Sequence, residues 1–192
     1  MRARPSRSPM RSIQLLTITP ALCEALHTPD EFTRLHDAQL GPHADLVRQI
    51  VGDGEAYRRT TGAPPEWGAS LGVDTETRLV IGTCAYKSAP RADGGVEIAY
   101  FTFPAFEGQG YAGAMAAALV RRAEASGTVR VVHAHTLPEL NASARLLARL
   151  GFTCTGTVID DPADGPVWHW ERPVAADATT HHAGAATSDD RG

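Results

Sequence analysis

The chain has 192 residues, a net charge of −4, and hydrophobic and charged fractions of 43% and 21%. These values predict one globular domain with a sizeable core, and they exclude a strongly basic nucleic-acid-binding protein. No apolar run approaches the length of a membrane-spanning helix or a secretory signal, so we expect a cytoplasmic protein without membrane partners. Three widely separated cysteines indicate reduced thiols, and Cys84, in a strand-like run, is expected to be buried.

The first third of the chain combines one strand with a helical region. Thr28 as a cap, Pro29 at the first helical position and Glu31 three residues after the cap predict a helix start with a capping box. We expect the domain to span 12–173, with disordered extensions at 1–11 and 174–192. In chain order, the predicted elements are a strand at 13–18, helices at 20–27, 30–38, 44–51 and 53–60, strands at 67–73, 79–87 and 96–103, a helix at 113–126, a strand at 129–136, a helix at about 141–150, and a closing hairpin at 153–159 and 167–171.

The order of these elements predicts an α/β (α+β) domain with one mixed, mostly antiparallel sheet of six or seven strands. Short connections join the second, third and fourth strands, which predicts an antiparallel meander. Alternating apolar residues from Trp67 to Val73 indicate that the second strand is half-buried. The helix after the fourth strand crosses over to the fifth, which predicts a parallel pair.

A strand, a glycine turn and an alanine-rich helix stand together at 96–127. Pro104 ends the strand, and Gly108 and Gly110 lie in the turn that precedes the helix. The first turn of a helix has unpaired N–H donors, and glycines let a ligand approach the backbone closely. The stretch therefore predicts a site for a phosphate group, although an ordinary strand-to-helix connection would use the same glycines.

Two nucleotide-binding motifs fit this turn less well. The Lys-Ser or Lys-Thr pair of a P-loop does not follow the glycines. Gly108, Gly110 and Gly113 match the letters of the dinucleotide fingerprint, but residues 104–107 separate them from the strand, and no carboxylate ends the next strand. A flavin- or nucleotide-binding α/β protein stays as a weaker alternative.

Two segments carry a resemblance to a known family. The turn Glu107-Gly108-Gln109-Gly110-Tyr111-Ala112 resembles motif A of the GNAT superfamily of N-acetyltransferases, with glutamate as a departure at the first position. NASARLLARLGF, at 141–152, resembles motif B, in which a helix ends in Gly-Phe before a strand. The spacing from Ser143 to that Gly-Phe pair is similar to the branch of ribosomal-protein N-terminal acetyltransferases. The resemblance covers about 13–172 and implies a single-domain fold whose sheet splays between the fourth and fifth strands.

The resemblance implies acetyl-coenzyme A as the acyl donor, no metal, and direct transfer to a primary amine in a ternary complex. The acceptor would be a protein or peptide α-amine or a small-molecule amine, and the protein would be a monomer or homodimer without nucleic-acid partners. The motif B tyrosine that often serves as the acid is Leu147 here. A non-catalytic acyl-coenzyme A-binding or sensing module on the same fold is therefore the alternative.

The resemblance also implies which residues hold the donor. The pantetheine arm would lie along the fourth strand near Phe101 and Phe103, although both rings also suit core packing. Asn141 would bond the pantetheine or the acetyl region, with a helix N-cap as the equal alternative. The pyrophosphate would be bound by the backbone at Gln109, Gly110, Tyr111, Ala112 and Gly113.

Glu97 is the first candidate for the general base. It is a lone carboxylate inside an apolar strand, where desolvation raises a carboxyl pKa. The alternatives are an edge-exposed glutamate or one paired with an arginine such as Arg78 or Arg130. Ser143 is predicted to donate a proton to the leaving thiolate, with a plain first-turn hydroxyl as the alternative.

His133 and His135 are the other base candidates, because both point to one face of the fifth strand. A zinc pair is conceivable there, but the sequence shows no third ligand at a useful spacing. No cysteine has a nucleophile-like setting, so no acyl-enzyme is expected.

Overall fold

A computed structural model describes residues 11–161 and 165–175 of the chain. The expected disorder of 1–11 and 174–192 therefore concerns residues that lie almost wholly outside the described part. The strands are β1 (Ile13–Thr17), β2 (Ala69–Asp74), β3 (Val80–Tyr86), β4 (Gly95–Thr102), β5 (Val131–Thr136), β6 (Thr153–Asp161) and β7 (Gly165–Pro173). The helices are α1 (Pro20–Ala25), α2 (Pro29–His36), α3 (Ala44–Thr61), α4 (Tyr111–Ala125) and α5 (Ala142–Arg149). None of these helices has the length and apolar character needed to cross a membrane.

The seven strands form one sheet in the order β1-β2-β3-β4-β5-β7-β6. The first four strands pair antiparallel as a meander, β4 and β5 pair in parallel, and β5, β7 and β6 pair antiparallel. The predicted mixed sheet is confirmed. Its single parallel pair follows from the crossover helix α4, since parallel neighbours require a connection that returns across the sheet.

Helices cover the two faces of the sheet unequally. On one face, α4 and α5 bury residues such as Met115, Leu119 and Leu147 against β3, β4 and β5. On the other face, α1, α2 and α3 bury Phe32 and Val47 against β2 and β3. The predicted burial of Cys84 is confirmed, because its side chain is only 2% exposed inside the first of these cores.

The helix α4 lies close to the sheet because two strand residues lack side chains. A Cβ at Gly82 would overlap the carbonyl oxygen of Phe101 and would approach Met115 Cε to 3.0 Å. A Cβ at Gly72 would come within 2.7 Å of Met115 Sδ. These contacts bring α4, and the glycine turn before it, directly against β2 and β3.

Four sequence predictions about the local structure were wrong. The two helices predicted at 44–51 and 53–60 form the single helix α3, because the buried series Val47, Val51 and Glu55 continues the helical period across Gly52. The strand β2 is buried from Ser70 to Asp74, because helices cover both of its faces. The other two errors concern helix starts: the Thr28 side chain makes no cap hydrogen bond, and α4 begins at Tyr111, two residues before the predicted start.

We predict that Gly82→Ala lowers the free energy of unfolding by about 1–3 kcal/mol or more, because the backbone oxygen of Phe101 leaves no room for a Cβ. Gly52→Ala is the matched control, since a Cβ there meets nothing within 4 Å and alanine favours a helix by about 0.5–1 kcal/mol. Urea unfolding of both variants measures the difference. Equal stability of the two variants would contradict the lack of room for a Cβ at Gly82.

Candidate functional site

A gap opens in the sheet between β4 and β5. Their parallel ladder contains only three pairs and ends at Glu97 and His133, although β4 continues to Thr102 and β5 to Thr136. The two strands therefore separate beyond Glu97. Such a gap offers an extended ligand a place beside an unpaired strand edge.

The backbone groups on this free edge belong to alternate residues of β4. Glu97 O accepts from Lys87 N–H, and Phe103 N–H donates to Ile81 O, so the odd-numbered residues direct their backbone groups towards β3. By the two-residue period of a strand, Ile98, Tyr100 and Thr102 direct theirs towards the gap. The predicted place of the pantetheine is near Phe101 and Phe103, but the backbone groups of these two residues face β3 and not the gap.

The rings of these two phenylalanines have different environments. Phe103 is fully buried among the residues that α1, α2 and α3 cover. Phe101 is 47% exposed on the same face of the sheet and contacts the Phe103 ring edge-on at 6.0 Å. Core packing therefore describes Phe103, whereas the Phe101 side chain is open to a ligand.

The glycine turn lies at the far end of β4. Gly108 and Gly110 have left-handed φ angles of 71° and 92°, which residues other than glycine rarely adopt. No atom of the described chain lies within 4 Å of a Cβ built at either glycine, so the space above the turn is open. The first turn of α4 carries no acidic side chain, and its N–H groups precede the first helical hydrogen bond, from Ala114 N–H to Gly110 O. The turn thus fits an anion.

A buried hydrogen bond fixes the start of α4. The Tyr111 hydroxyl donates to Asp74 Oδ2 at 2.7 Å, and Asp74 Oδ1 accepts the backbone N–H groups of Glu76 and Thr77. Burial opposes ionisation of Asp74, but these hydrogen bonds together hold its pKa below the usual value. Burial and the neighbouring carboxylate raise the pKa of Tyr111 to about 12. The Tyr111 side chain therefore anchors the turn, and only its backbone faces a ligand.

The motif B residues stand on the α5 side of the gap. Asn141 is the N-cap of α5, and its side chain accepts the Ala144 N–H at 2.9 Å. The Ser143 hydroxyl lies near the Tyr100 hydroxyl of β4. Burial raises the pKa of the Tyr100 hydroxyl, and the neighbouring Ser143 hydroxyl offsets part of that effect. Tyr100 is absent from the residues predicted from the sequence. Its place in the predicted strand, an odd number of positions from Glu97, is the signal that could have put it on the opposite face.

Glu97 lies on the opposite face, where two side chains donate to one of its oxygen atoms. Its Oε1 accepts from Lys87 Nζ at 2.7 Å and from His135 Nδ1 at 2.9 Å. The ion-pair alternative for Glu97 is thus realised with a lysine and a histidine, and neither Arg78 nor Arg130 is its partner. His135 donates through Nδ1, and its buried Nε2 has no hydrogen-bond partner among the described residues.

Two further histidines continue this polar face. Arg91 Nη2 contacts His133 Nε2 at 3.0 Å, and because a guanidinium can only donate, that nitrogen is the acceptor. His133 then holds its proton on Nδ1 and donates it to His169 Nε2 at 2.9 Å. Burial lowers the pKa of both imidazoles, and the Arg91 guanidinium lowers that of His133 further.

The donor atoms of His133, His169 and Glu171 lie within 4.8 Å of one another and could hold a metal ion. The sequence analysis found no third ligand because His169 and Glu171 come from β7, opposite His135 and His133 respectively. Their alternate spacing on a predicted hairpin strand is the signal that could have found them. A cation there would have to replace the hydrogen bond between His133 and His169.

A cavity of about 380 Å³ adjoins this polar face between α3 and the ends of β2 and β3. Its walls are mostly apolar, with Trp67, Ala85 and Tyr86 among them, and Lys87 lies at its edge. The structure thus brings Glu97 and His135 together beside the gap and the cavity. Side chains of a strand alternate between its faces, so Tyr100, three residues after Glu97 in β4, lies on the other side of the same gap. Ser143 of α5 lies on that side too.

The family model and the solved structures that match the chain are described as acetyltransferases. A family model described as "Acetyltransferase (GNAT) domain" matches residues 19–153. No curated protein matches the chain significantly.

Several solved structures have a similar fold. One is a ribosomal L7/L12 α-N-protein acetyltransferase, RimL, in complex with coenzyme A, with 17% identity over 88% of this chain and 97% of that one, and a TM-score of 0.59. Another is the ribosomal-protein-S5-alanine acetyltransferase from Vibrio fischeri, with 16% identity, 84% and 93% coverage, and a TM-score of 0.58. A third is the microcin C7 self-immunity acetyltransferase MccE with acetyl-CoA and AMP, with 15% identity, 84% and 92% coverage, and a TM-score of 0.58. At these identities the similarity shows the fold alone.

We predict that the free energy of unfolding falls as the pH falls through 6.5, because His133 and His169 bind protons in the unfolded chain before they do so in the folded one. Each such proton contributes a slope of at most about 1.4 kcal/mol per pH unit. His169→Gln should flatten the decline, as measured by urea unfolding between about pH 7.5 and 5.5. The exposed His27, changed to Gln, is the control, and equal slopes for the two variants would contradict the prediction.

Proposed function

Because the chain belongs to the GNAT family of acetyltransferases, we propose that it moves an acetyl group from acetyl-coenzyme A to a primary amine by direct transfer in a ternary complex. The predicted family and the predicted enzyme class, an acyltransferase, are confirmed by that membership. The transfer itself is supported best by one observation: Glu97 stands where the β4–β5 ladder ends and the free edge of β4 begins. We assign the activity to a domain at 12–173.

The donor would be held at two places. The backbone N–H groups from Gln109 to Gly113, at the open turn and the start of α4, would bind the pyrophosphate. The pantetheine would lie along the free edge of β4, where the backbone groups of Ile98, Tyr100 and Thr102 can pair with its amides. A backbone N–H of the same edge would bind the carbonyl oxygen as it gains charge. The Asn141 side chain, engaged as an N-cap, would contribute through its position beside the gap.

The amine proton would be accepted by the pair formed by Glu97 and His135. A primary amine attacks only as the neutral form, so its ammonium must first lose a proton. Glu97 is within hydrogen-bond distance of one ammonium group already, that of Lys87. His135 donates to the same oxygen and so fixes the orientation of the carboxylate.

Ser143 and Tyr100 would act on the sulfur side of the gap. Their hydroxyls lie near each other, and burial raises the pKa of Tyr100, which keeps it protonated well above neutral pH. A protonated hydroxyl can stabilise a leaving thiolate or give it a proton. Tyr100 thus offers from β4 the phenol that Leu147 lacks in motif B. Cys84 is unsuited to form an acyl-enzyme, since burial raises the pKa of its thiol to about 12.

For the acceptor we propose a protein or peptide α-amine or a small-molecule amine. The first possibility is supported by similarity to structures named as acetyltransferases of ribosomal proteins. The second is supported by the mostly apolar cavity at Lys87, which suits the body of a small amine. In either case the acceptor would approach Glu97 from the face that carries His135.

A non-catalytic acyl-coenzyme A-binding module is the second candidate. The observation that favours it is the ion pair of Glu97 with Lys87, which occupies the carboxylate that a base needs. This candidate shares the donor site with the enzyme and differs only in the absence of acetyl transfer.

We predict that acetyl-coenzyme A raises the thermal unfolding temperature and that Gly110→Trp abolishes the rise, because the indole would fill the open space over the turn. At a ligand concentration of 100 Kd, binding stabilises the native state by about 2.7 kcal/mol. Gly127→Trp is the matched control, since Gly127 has a similar left-handed φ, open surroundings and a place beyond the other end of α4. No rise for acetyl-coenzyme A, with a rise for ATP or NAD, would contradict the proposed donor.

We predict that Glu97→Gln lowers kcat/KM for amine-dependent thiol release by about 10²–10⁴-fold, since glutamine keeps the shape but cannot accept a proton. Donor binding, measured by thermal shift, should stay unchanged. Glu139→Gln, at an exposed position, is the control for loss of a negative charge. If the wild-type protein binds the donor but no amine releases the thiol, the non-catalytic module is the correct function.

A further inference from the structure

We propose that Lys87 is acetylated by its own protein molecule, on the ε-amino group. This inference rests on the proposed function, because it uses the same donor and the same base. It adds a modification site that lies inside the acceptor region and needs no second macromolecule.

The first observation concerns composition. Lys87 is the single lysine among the 18 basic residues of the chain, and all the others are arginines. An arginine keeps its proton at any ordinary pH and therefore does not attack a thioester. Lys87 is thus the one side-chain amine in the sequence that can be acylated.

The second observation is where this lysine lies. Its Nζ is 2.7 Å from Oε1 of Glu97, the oxygen proposed to accept the acceptor's proton. Its backbone N–H donates to the Glu97 carbonyl oxygen at 2.9 Å, so β3 holds the two residues side by side. The ammonium of Lys87 therefore occupies the position that the ammonium of any acceptor must reach.

The third observation concerns access to this position. The Lys87 side chain is 45% exposed, whereas that of Glu97 is only 18% exposed. Lys87 lies at the edge of the apolar cavity, and Glu97 is the last β4 residue paired with β5. The lysine is thus held at the carboxylate, and nearly half of its side chain is exposed to solvent and to a bound donor.

The reaction balances without any further reactant. Glu97 takes one proton from the Lys87 ammonium, and the neutral nitrogen attacks the acetyl carbonyl carbon. A C–N bond forms and the C–S bond breaks, with its electron pair leaving on the sulfur. The proton held by Glu97 passes to the thiolate or to solvent, which yields N-ε-acetyl-lysine and free coenzyme A and restores the carboxylate.

The test is peptide mass spectrometry of the native full chain after incubation with acetyl-coenzyme A. We expect the Lys87 peptide to gain one acetyl group, at a first-order rate that does not change with protein concentration. The same chain unfolded in urea measures chemical acylation and should react far more slowly. Lys87→Arg should remove the modification, so that any acetyl group left on the intact chain belongs to another amine.

Two variants connect the modification to the site. Glu97→Gln should slow the acetylation of Lys87 by about 100-fold or more, because the amine keeps its proton. Gly110→Trp should prevent it through loss of the donor, whereas Gly127→Trp should leave it unchanged.

Different results overturn different statements. If acetyl-coenzyme A stabilises the protein and an added amine releases the thiol while Lys87 stays unmodified, this inference is wrong and the proposed function stands. If neither stabilisation nor thiol release occurs, the proposed function itself fails. A rate that rises with protein concentration, or equal rates for the native and the unfolded chain, would also overturn self-acetylation.

Discussion

The early end of the ladder between β4 and β5 is the constraint on which the rest of this structure depends. Both strands continue beyond Glu97 and His133, yet the pairing stops there. Backbone N–H and C=O groups in a sheet require partners, so the free edge of β4 can pair with water or with an extended ligand. Where the two strands separate, the side chains of β4 have two different environments. Those on one face of the strand point towards α5, and those on the other face point towards the histidines.

These two environments divide the chemistry that acetyl transfer needs. On the α5 side the hydroxyls of Tyr100 and Ser143 lie near each other and remain protonated, which suits a leaving thiolate. On the other side, Glu97 accepts from Lys87 and His135, which holds the proposed proton acceptor in one orientation. Alternation of side chains along one strand is sufficient to produce this division, because Glu97 and Tyr100 differ by an odd number of positions.

The sequence was sufficient to predict whatever depends on local pattern. The glycine turn, the helix after it, the meander and the α5 cap at Asn141 all follow from short-range signals. It was insufficient where distant strands meet. The partners of Glu97 come from β3 and β5, and His169 reaches His133 only because β7 inserts between β5 and β6 in the sheet. A continuous α3 through Gly52 was missed for a related reason, since tertiary burial overrode the local cost of a glycine.

The hydrogen bond between Tyr111 and Asp74 has a consequence for how tightly an anion can bind. A flexible loop loses conformational entropy when a ligand orders it, and that loss subtracts from the affinity. Here the first residue of α4 is already immobilised from below by a buried carboxylate, so the helical donors are preorganised before any ligand arrives. The remaining entropic cost falls on the short exposed segment at 107–110. Residues beneath the turn, such as Asp74, can therefore contribute to the dissociation constant of an anion through preorganisation.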